Sequence, residues 1–258
     1  MRVIFIDYSV FMFTAIFSYL RNRGNSNIPP TYTTMSMIFG ALKRLNVTEQ
    51  DKIIIAVDSN KGSWRKEKDP QYKANRKEIR EKHDLDWNKT FTEYRNLLKN
   101  IDISLPFLIV EAEKLEADDL ISYGVRKYTD CECIVVSTDS DFEQLTCFKN
   151  VKLWSPRKKE FKVVKNPYTL IARKIEQERT DNLLSPILTE ADYNLRKMLV
   201  DLTTLPEEVE EKAKEQYDAL PERKDYDYGL MRFKSLSKRY LELYNKPKEK
   251  EDNQAKLL

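Results

Sequence analysis

The sequence predicts an α/β protein: a central, mainly parallel sheet flanked by helices, followed by a helical C-terminal part. Short apolar runs, Val3–Ile6, Ile53–Val57, Phe107–Val110 and Ile134–Val136, recur with segments of helical periodicity between them. Runs that are apolar throughout are what strands buried on both faces of a parallel sheet require. Three of these runs are followed closely by aspartate: Asp7, Asp58, and Asp139 with Asp141. In open parallel sheets, side chains just beyond the C-terminal ends of strands line the ligand crevice. The same observations that predict the fold therefore predict where its site lies.

Val3–Ile6 opens the chain as a strand. A basic residue followed by an apolar run raises a signal peptide, but Asp7 inside the run and the lack of a small-residue cleavage site favour a core strand. Val10 to Leu20 reads as a helix. Asn22 to Pro30, rich in Asn and Gly and closing in Pro-Pro, reads as a loop. Met35 to Leu45 returns to helical spacing, and Ile53–Val57 is the second strand. Ser59 to about Asp86 is polar and too charged, as sequence, for a core. It reads either as a solvated surface segment or as a basic, aromatic-interleaved clamp on single-stranded nucleic acid. In the clamp, bases would stack on Trp64 or Tyr72 and phosphates would meet Lys73 and Arg76.

Trp87 to Leu98 is helical by the spacing of Phe91, Tyr94, Leu97 and Leu98. Phe107–Val110 is the next strand. Glu116, Asp118 and Asp119 then head an apolar-periodic run, Leu120, Ile121 and Val125, which leads to the strand Ile134–Val136. Val151–Trp154 and Glu160–Val164 bracket Ser155-Pro156-Arg157-Lys158 as a hairpin. From Pro167 the chain is helical in character, over 168–181, from Thr189 onward, and over about 206–218 and 228–244. Thr189 reads as an N-cap, with Asp192 where a capping box has Glu or Gln. The organisation expected is an α/β core over 1–165, a helical region over 166–245, and a frayed charged tail over 246–258.

With 258 residues, 41% hydrophobic and 34% charged, the chain has material for one large core. No apolar run is long enough to span a membrane, and no membrane partner is expected. Cys131, Cys133 and Cys147 form no framework spacing and read as reduced thiols of a cytoplasm-like compartment. His83 is the only histidine, which excludes a histidine-based metal site. A net charge of +3 decides nothing by itself. Its distribution does: acids gather at the predicted site, while bases cluster over Lys61–Arg80 and Lys149–Lys165. A basic rim around an acidic pocket suits a polyanion that must approach metal ions.

Carboxylates crowded at one sheet edge repel one another unless cations sit among them. Hard oxygen donors with no histidine point to Mg2+ or Mn2+. Paired divalent ions suit in-line displacement at phosphorus, and with a basic, aromatic clamp the substrate is a nucleic-acid phosphodiester. Asp139-Ser140-Asp141 also fits the D-x-D of haloacid-dehalogenase-type phosphatases, but that motif has Thr or Val at its fifth position, where this chain has Glu143.

Taken together, these residues resemble the flap-endonuclease/5′-nuclease family, with its PIN-like core. The likeness rests on Ile6-Asp7, Asp58 to Gly62, Trp64-Arg65 to Tyr72-Lys73 and Arg76, and Glu116-Ala117-Asp118-Asp119. It continues through Ser137 to Asp141 with Gln144-Leu145, Trp154-Ser155-Pro156, Leu188-Thr189-Glu190 and Tyr193-Asn194. It implies that 59–100 holds a basic helical arch. It implies that Asp7, Asp58, Glu116, Asp118, Asp119, Asp139 and Asp141 hold two metal ions, directly or through water. Lys73 and Arg76 would polarise the scissile phosphate beside Asp139, and Trp64, Arg65 and Tyr72 would complete the nucleic-acid contacts. The family's Gly-Asp-x-x-Asp-Asn segment, which opens a duplex-gripping helical hairpin, corresponds to Gln177-Glu178-Arg179-Thr180-Asp181-Asn182, so Glu178 and Asp181 are further metal candidates. Gln177 replaces the glycine, and roughly thirty residues, about one helical-hairpin unit, are missing after Leu184. The implied partners are DNA with a 5′ flap or 5′ end, or an RNA–DNA hybrid, and a replication protein that could supply the missing grip. The implied compartment is the cytoplasm, that of the host for a phage-encoded chain. Three functions stay open at this point: a Mg2+-dependent 5′ nuclease, a catalytically weak binding factor on the same fold, and an RNA-specific PIN-like ribonuclease.

Overall fold

A computed structural model describes residues 1–22, 27–176, 187, 189–222 and 224–245. Its centre is a six-stranded sheet in the order β3-β2-β1-β4-β5-β6. The strands are β1 (Arg2–Asp7), β2 (Lys52–Ala56), β3 (Phe107–Val110), β4 (Glu132–Val136), β5 (Val151–Ser155) and β6 (Glu160–Lys162). The first five pair in parallel, and β6 closes the expected hairpin antiparallel to β5.

Side chains alternate across the strands with period two, and each face has its own core. Val3 and Phe5 of β1, Ile54 of β2 and Val135 of β4 lie on one face. Ile4 and Ile6, Ile53 and Ile55, and Ile134 and Val136 lie on the other. The first face is covered by α6 (Ala117–Lys127), α8 (Glu190–Val200) and α9 (Glu207–Asp218), through Leu120, Leu199, Val209 and Tyr217. The second is covered by α1 (Tyr8–Arg21), α2 (Pro30–Arg44), α5 (Trp87–Ser104) and α10 (Lys234–Tyr244), through Phe11, Leu42, Leu97 and Tyr240. The helical residues after 166 thus contribute to both cores and pack as part of the sheet's own body.

Helix α6 crosses β1 closely because it has no side chain at the crossing. A Cβ on Gly124 would stand 2.5 Å from the Phe5 ring. Tyr217 of α9 reaches over the same point and donates its hydroxyl to the Leu120 carbonyl at 2.8 Å. At the opposite end of the sheet, Arg2 pairs with the buried Asp51, which also accepts from the Thr48 amide at 2.8 Å.

Most expected elements are present with moved ends. Helix α1 starts at Tyr8, directly after the strand, because Asp7 caps it. Pro30 opens α2 rather than closing a loop, since proline at the first helical position loses no needed donor. Helix α7 runs Pro167–Glu176, and the rest of the expected 168–181 helix lies outside the described residues. Thr189 and Asp192 form a full reciprocal capping box, the shorter acid doing the work of Glu. The segment 228–244 divides into a 3-10 turn, Tyr228–Leu230, and α10. The tail over 246–258 lies outside the described residues.

One expectation is overturned. The segment after Asp58 is not all surface. It holds α3 (Trp64–Lys68) and α4 (Arg76–Glu81), and Trp64, Arg65 and Tyr72 are only 3%, 1% and 2% exposed. Trp64 and Tyr72 belong to the core of the first face, beside Ala117 and Leu120. Charge did not keep this stretch outside because the charge of Arg65 is met by acids inside.

Candidate active site

The sheet order places the site. From β1 the chain moves to β2 and β3 on one side, then crosses back to β4 on the other. The direction of winding reverses between β1 and β4, the place where open α/β sheets hold ligands. Asp7 ends β1, Asp58 follows β2, and Asp139 and Asp141 follow β4, all at the same edge.

Neighbouring hydroxyls and amides orient these acids. Ser137 donates its hydroxyl to Asp7 Oδ2 at 2.9 Å and accepts from the Asp139 amide at 3.0 Å. The Asp141 amide donates to Asp139 Oδ1 at 2.9 Å. Asp58 accepts a short hydrogen bond from Ser9 and another, 2.8 Å long, from the Ala117 amide. The last bond ties the end of β2 to the start of α6, which brings up the second acidic group. Asp141 is ion-paired with Lys174 of α7. Burial pushes the Asp7 carboxyl up to about 7, with Asp58 and Asp139 adding repulsion and the Ser137 hydrogen bond opposing it.

Glu116, Asp118 and Asp119 surround the Arg65 guanidinium. Its nitrogens stand 3.5 Å from Glu116, 3.3 Å from Asp118 and 2.8 Å from Asp119. The guanidinium also lies 4.6 Å from the centre of the Trp64 ring. Asp119 is wholly buried, and its Oδ2 accepts from Trp64 Nε1 at 3.0 Å and from the Glu116 amide at 2.9 Å. Its Oδ1 forms the 2.8 Å ion pair with Arg65. Glu116 Oε2 receives Lys73 at 2.8 Å and the Tyr72 hydroxyl at 3.1 Å. Burial opposes ionisation of Glu116, but Lys73, Arg65 and Arg76 outweigh it and hold its carboxyl low. Asp118 and Asp119 are pushed up instead, by burial first, against the pull of Arg65.

Seven acids expected at the site, Asp7, Asp58, Glu116, Asp118, Asp119, Asp139 and Asp141, thus stand at one edge in two linked groups. Among the described residues, however, no three His, Cys, Asp or Glu side chains are gathered tightly enough to hold an ion as they stand. Lys73 and Lys174 occupy carboxylate oxygens that such an ion would use. The donor set nevertheless fits hard divalent cations. It is all carboxylate, and burial first, with repulsion from neighbouring acids added, pushes Asp7, Asp118 and Asp119 above the ordinary carboxylate range, a penalty that a cation would relieve. Glu178 and Asp181 lie outside the described residues.

The nucleic-acid candidates divide. Arg76 is exposed at the start of α4, and Lys73 sits at the acids. Trp64, Arg65 and Tyr72 are buried and turned to the carboxylates, Trp64 donating to Asp119 and the Tyr72 hydroxyl to Glu116. His83 packs its ring 5.3 Å from Phe17. Sequence reasoning missed Ser9 as an orienting hydroxyl, although a serine two residues beyond a strand-end aspartate was a legible signal.

Comparison with known proteins agrees with this geometry. A family model described as 5′-3′ exonuclease, N-terminal resolvase-like domain, matches residues 2–176. The ribonuclease H of Enterobacteria phage T4 is 27% identical over 235 residues, covering 72% of this chain and 77% of that protein. A phage T5 protein crystallised with metal ions superposes with a TM-score of 0.59 at 18% identity, over 94% of this chain and 99% of that one. A phage T5 flap endonuclease, in a pseudo-enzyme-product complex with DNA and metal ions, gives 0.55 at 20% identity, over 95% and 89%. At such identities the two T5 structures establish the shared PIN-like fold.

Proposed function

The chain belongs to the 5′-3′ exonuclease family, and on that premise we propose that it hydrolyses phosphodiesters at 5′ ends or 5′ flaps of DNA or RNA–DNA, with Mg2+ or Mn2+ as cofactor. The observation that carries this reading is the convergence of seven carboxylates at the switch point, where burial and mutual repulsion push Asp7, Asp118 and Asp119 up. Asp7, Asp58, Asp139 and Asp141 would hold one ion, and Glu116 and Asp118 a second, with Asp119 engaged through water. Glu178 and Asp181 remain expected contributors. Bound divalent ions supply charge neutralisation at phosphorus and lower the pKa of water.

The chain's own residues prepare that chemistry. Ser137 and Ser9 aim Asp7 and Asp58 from outside the ligand set, and Arg65 keeps Glu116 and Asp118 facing the edge. Lys73 contacts Glu116 and Arg76 acts on it through charge, and a scissile phosphate would meet both there. Occupation of the site requires Lys73 to leave Glu116 and Lys174 to leave Asp141, and both then become available to phosphate oxygens. Since the duplex-gripping segment is short in sequence, duplex anchoring is weaker than in relatives with a full helical hairpin, and a replication partner would compensate.

The test is cleavage of a 5′-flap DNA, a nicked duplex and an RNA–DNA hybrid, with Mg2+ and with EDTA, beside Asp139→Asn. Metal-dependent cutting that the variant lacks is expected. Binding without cutting by the wild-type protein would replace the nuclease with a structure-binding factor.

A further inference from the structure

We propose that Gln144 is a positioning residue, which with Arg65 and Ser122 uses the backbone of residues 199–202 to set the spacing between the two acidic groups. The inference rests on the reading of those groups as a metal site. Gln144 lies in the 3-10 helix Asp141–Cys147, which begins with a site acid, and it is wholly buried. Its amide is used at both ends: Nε2 donates to the Val200 carbonyl at 3.1 Å, and Oε1 accepts from the Leu202 amide at 3.1 Å. From the other group, Arg65 Nε donates to the Leu199 carbonyl at 2.8 Å while its remaining nitrogens face Glu116, Asp118 and Asp119. Ser122 of α6 donates its hydroxyl to the Leu202 carbonyl.

The backbone around the end of α8 is therefore held in turn by the element after β4 and by the elements around α6. The last carbonyls of a helix need partners, and here Leu199 and Val200 find them in Arg65 and Gln144 rather than in a local turn. A paired, buried amide is rigid in position because every alternative leaves polar groups unsatisfied. Strand β1 fixes Asp7 directly, and Asp58, just past β2, is held by Ser9 and the Ala117 amide. The other acids sit on loops and helix starts, and the bridge through residues 199–202 gives those two loops a common reference. Outer-sphere groups of this kind act on metal affinity more than on the ligands' identity.

The test uses Mn2+ alone as probe, titrated by electron paramagnetic resonance into wild type, Gln144→Met and Ser122→Ala, together with melting curves and the Mg2+ dependence of flap cleavage. Gln144→Met keeps volume and removes both hydrogen bonds. We expect Mn2+ affinity to fall about tenfold, the Mg2+ level for half-maximal cleavage to rise in step, and high Mg2+ to restore the rate. A merely structural glutamine would lower the melting temperature and leave the Mn2+ affinity of the folded variant unchanged, and that result overturns the inference. If Gln144→Met does not fold, Ser122→Ala decides, with about threefold weaker Mn2+ binding expected for one lost hydrogen bond and unchanged binding against it. Wild-type protein that neither binds Mn2+ nor cuts would overturn the metal-site reading, a failure distinct from a working wild type beside an unaltered variant.

Discussion

Lys73 Nζ lies 2.8 Å from Glu116 Oε2, and the Lys73 backbone adopts a left-handed conformation with φ of 51°. For a residue with a Cβ this conformation costs about 1–2 kcal/mol, so the lysine is held at the acid by more than its local preference. A cation at Glu116 and Lys73 compete for the same oxygen. Lys73→Ala should therefore lower cleavage by on the order of 10²–10³-fold, the scale of losing one stabilising donor, without weakening Mn2+ binding. Single-turnover rates and a Mn2+ titration check this. Equal losses in both would mean that Lys73 supports the ligands rather than the phosphate.

Asp139→Asn should abolish cleavage and leave the fold intact. The amide keeps an oxygen to accept from the Asp141 backbone, while the anionic ligand is gone. Circular dichroism and melting should match wild type. Wild-type rates in this variant would remove Asp139 from the site.

Metal-free stability should fall as pH rises from about 4 to about 7. The folded protein holds a proton on Asp7 up to about 7, above the ordinary range of 3.8. Between those values the unfolded chain has released the proton and the native chain still binds it, so raising the pH favours unfolding. Above about 7 this contribution is lost in full and the slope ends. Melting in EDTA from pH 5 to 8 checks it, and Asp7→Asn should flatten the fall. The same slope in the variant would assign the effect to other groups.

Gly124→Ala should destabilise the protein by about 1–3 kcal/mol, the cost of overpacking a filled core. The added methyl would meet the Phe5 ring in β1 and the Tyr217 hydroxyl. Denaturant midpoints at unchanged m-value measure it. A neutral result would show that α6 can lift from β1 at little cost.

Cys133 should resist thiol reagents at pH 8 until the protein is unfolded. The side chain is wholly buried, and burial pushes its thiol up to about 12, with Cys131 adding to the effect. Mass spectrometry after labelling, with and without denaturant, locates the modified residue. Rapid native labelling of Cys133 would mean that β4 readily becomes accessible in the folded protein.

The four core strands and the helices between them were legible because apolar runs and 3.6-residue spacing are local properties of a chain. The placing of Asp7, Asp58, Asp139 and Glu116 at one end of the sheet was legible for a related reason: strand C-termini and helix starts lie at the same end of any parallel sheet. The Thr189 cap was equally local. The burial of Trp64, Arg65 and Tyr72 was not legible, and only the tertiary structure decided it. A charged side chain goes inside only where distant partners meet it, and those of Arg65 lie 53 residues away at Asp118 and 134 away at Leu199. The hold of Lys73 on Glu116 and the bridging of residues 199–202 by Gln144 depend on the same kind of contact. Periodicity and turn chemistry act between neighbours in sequence, so they placed the acids. The compensation of those charges acts between neighbours in space, so it appeared only once the chain was folded.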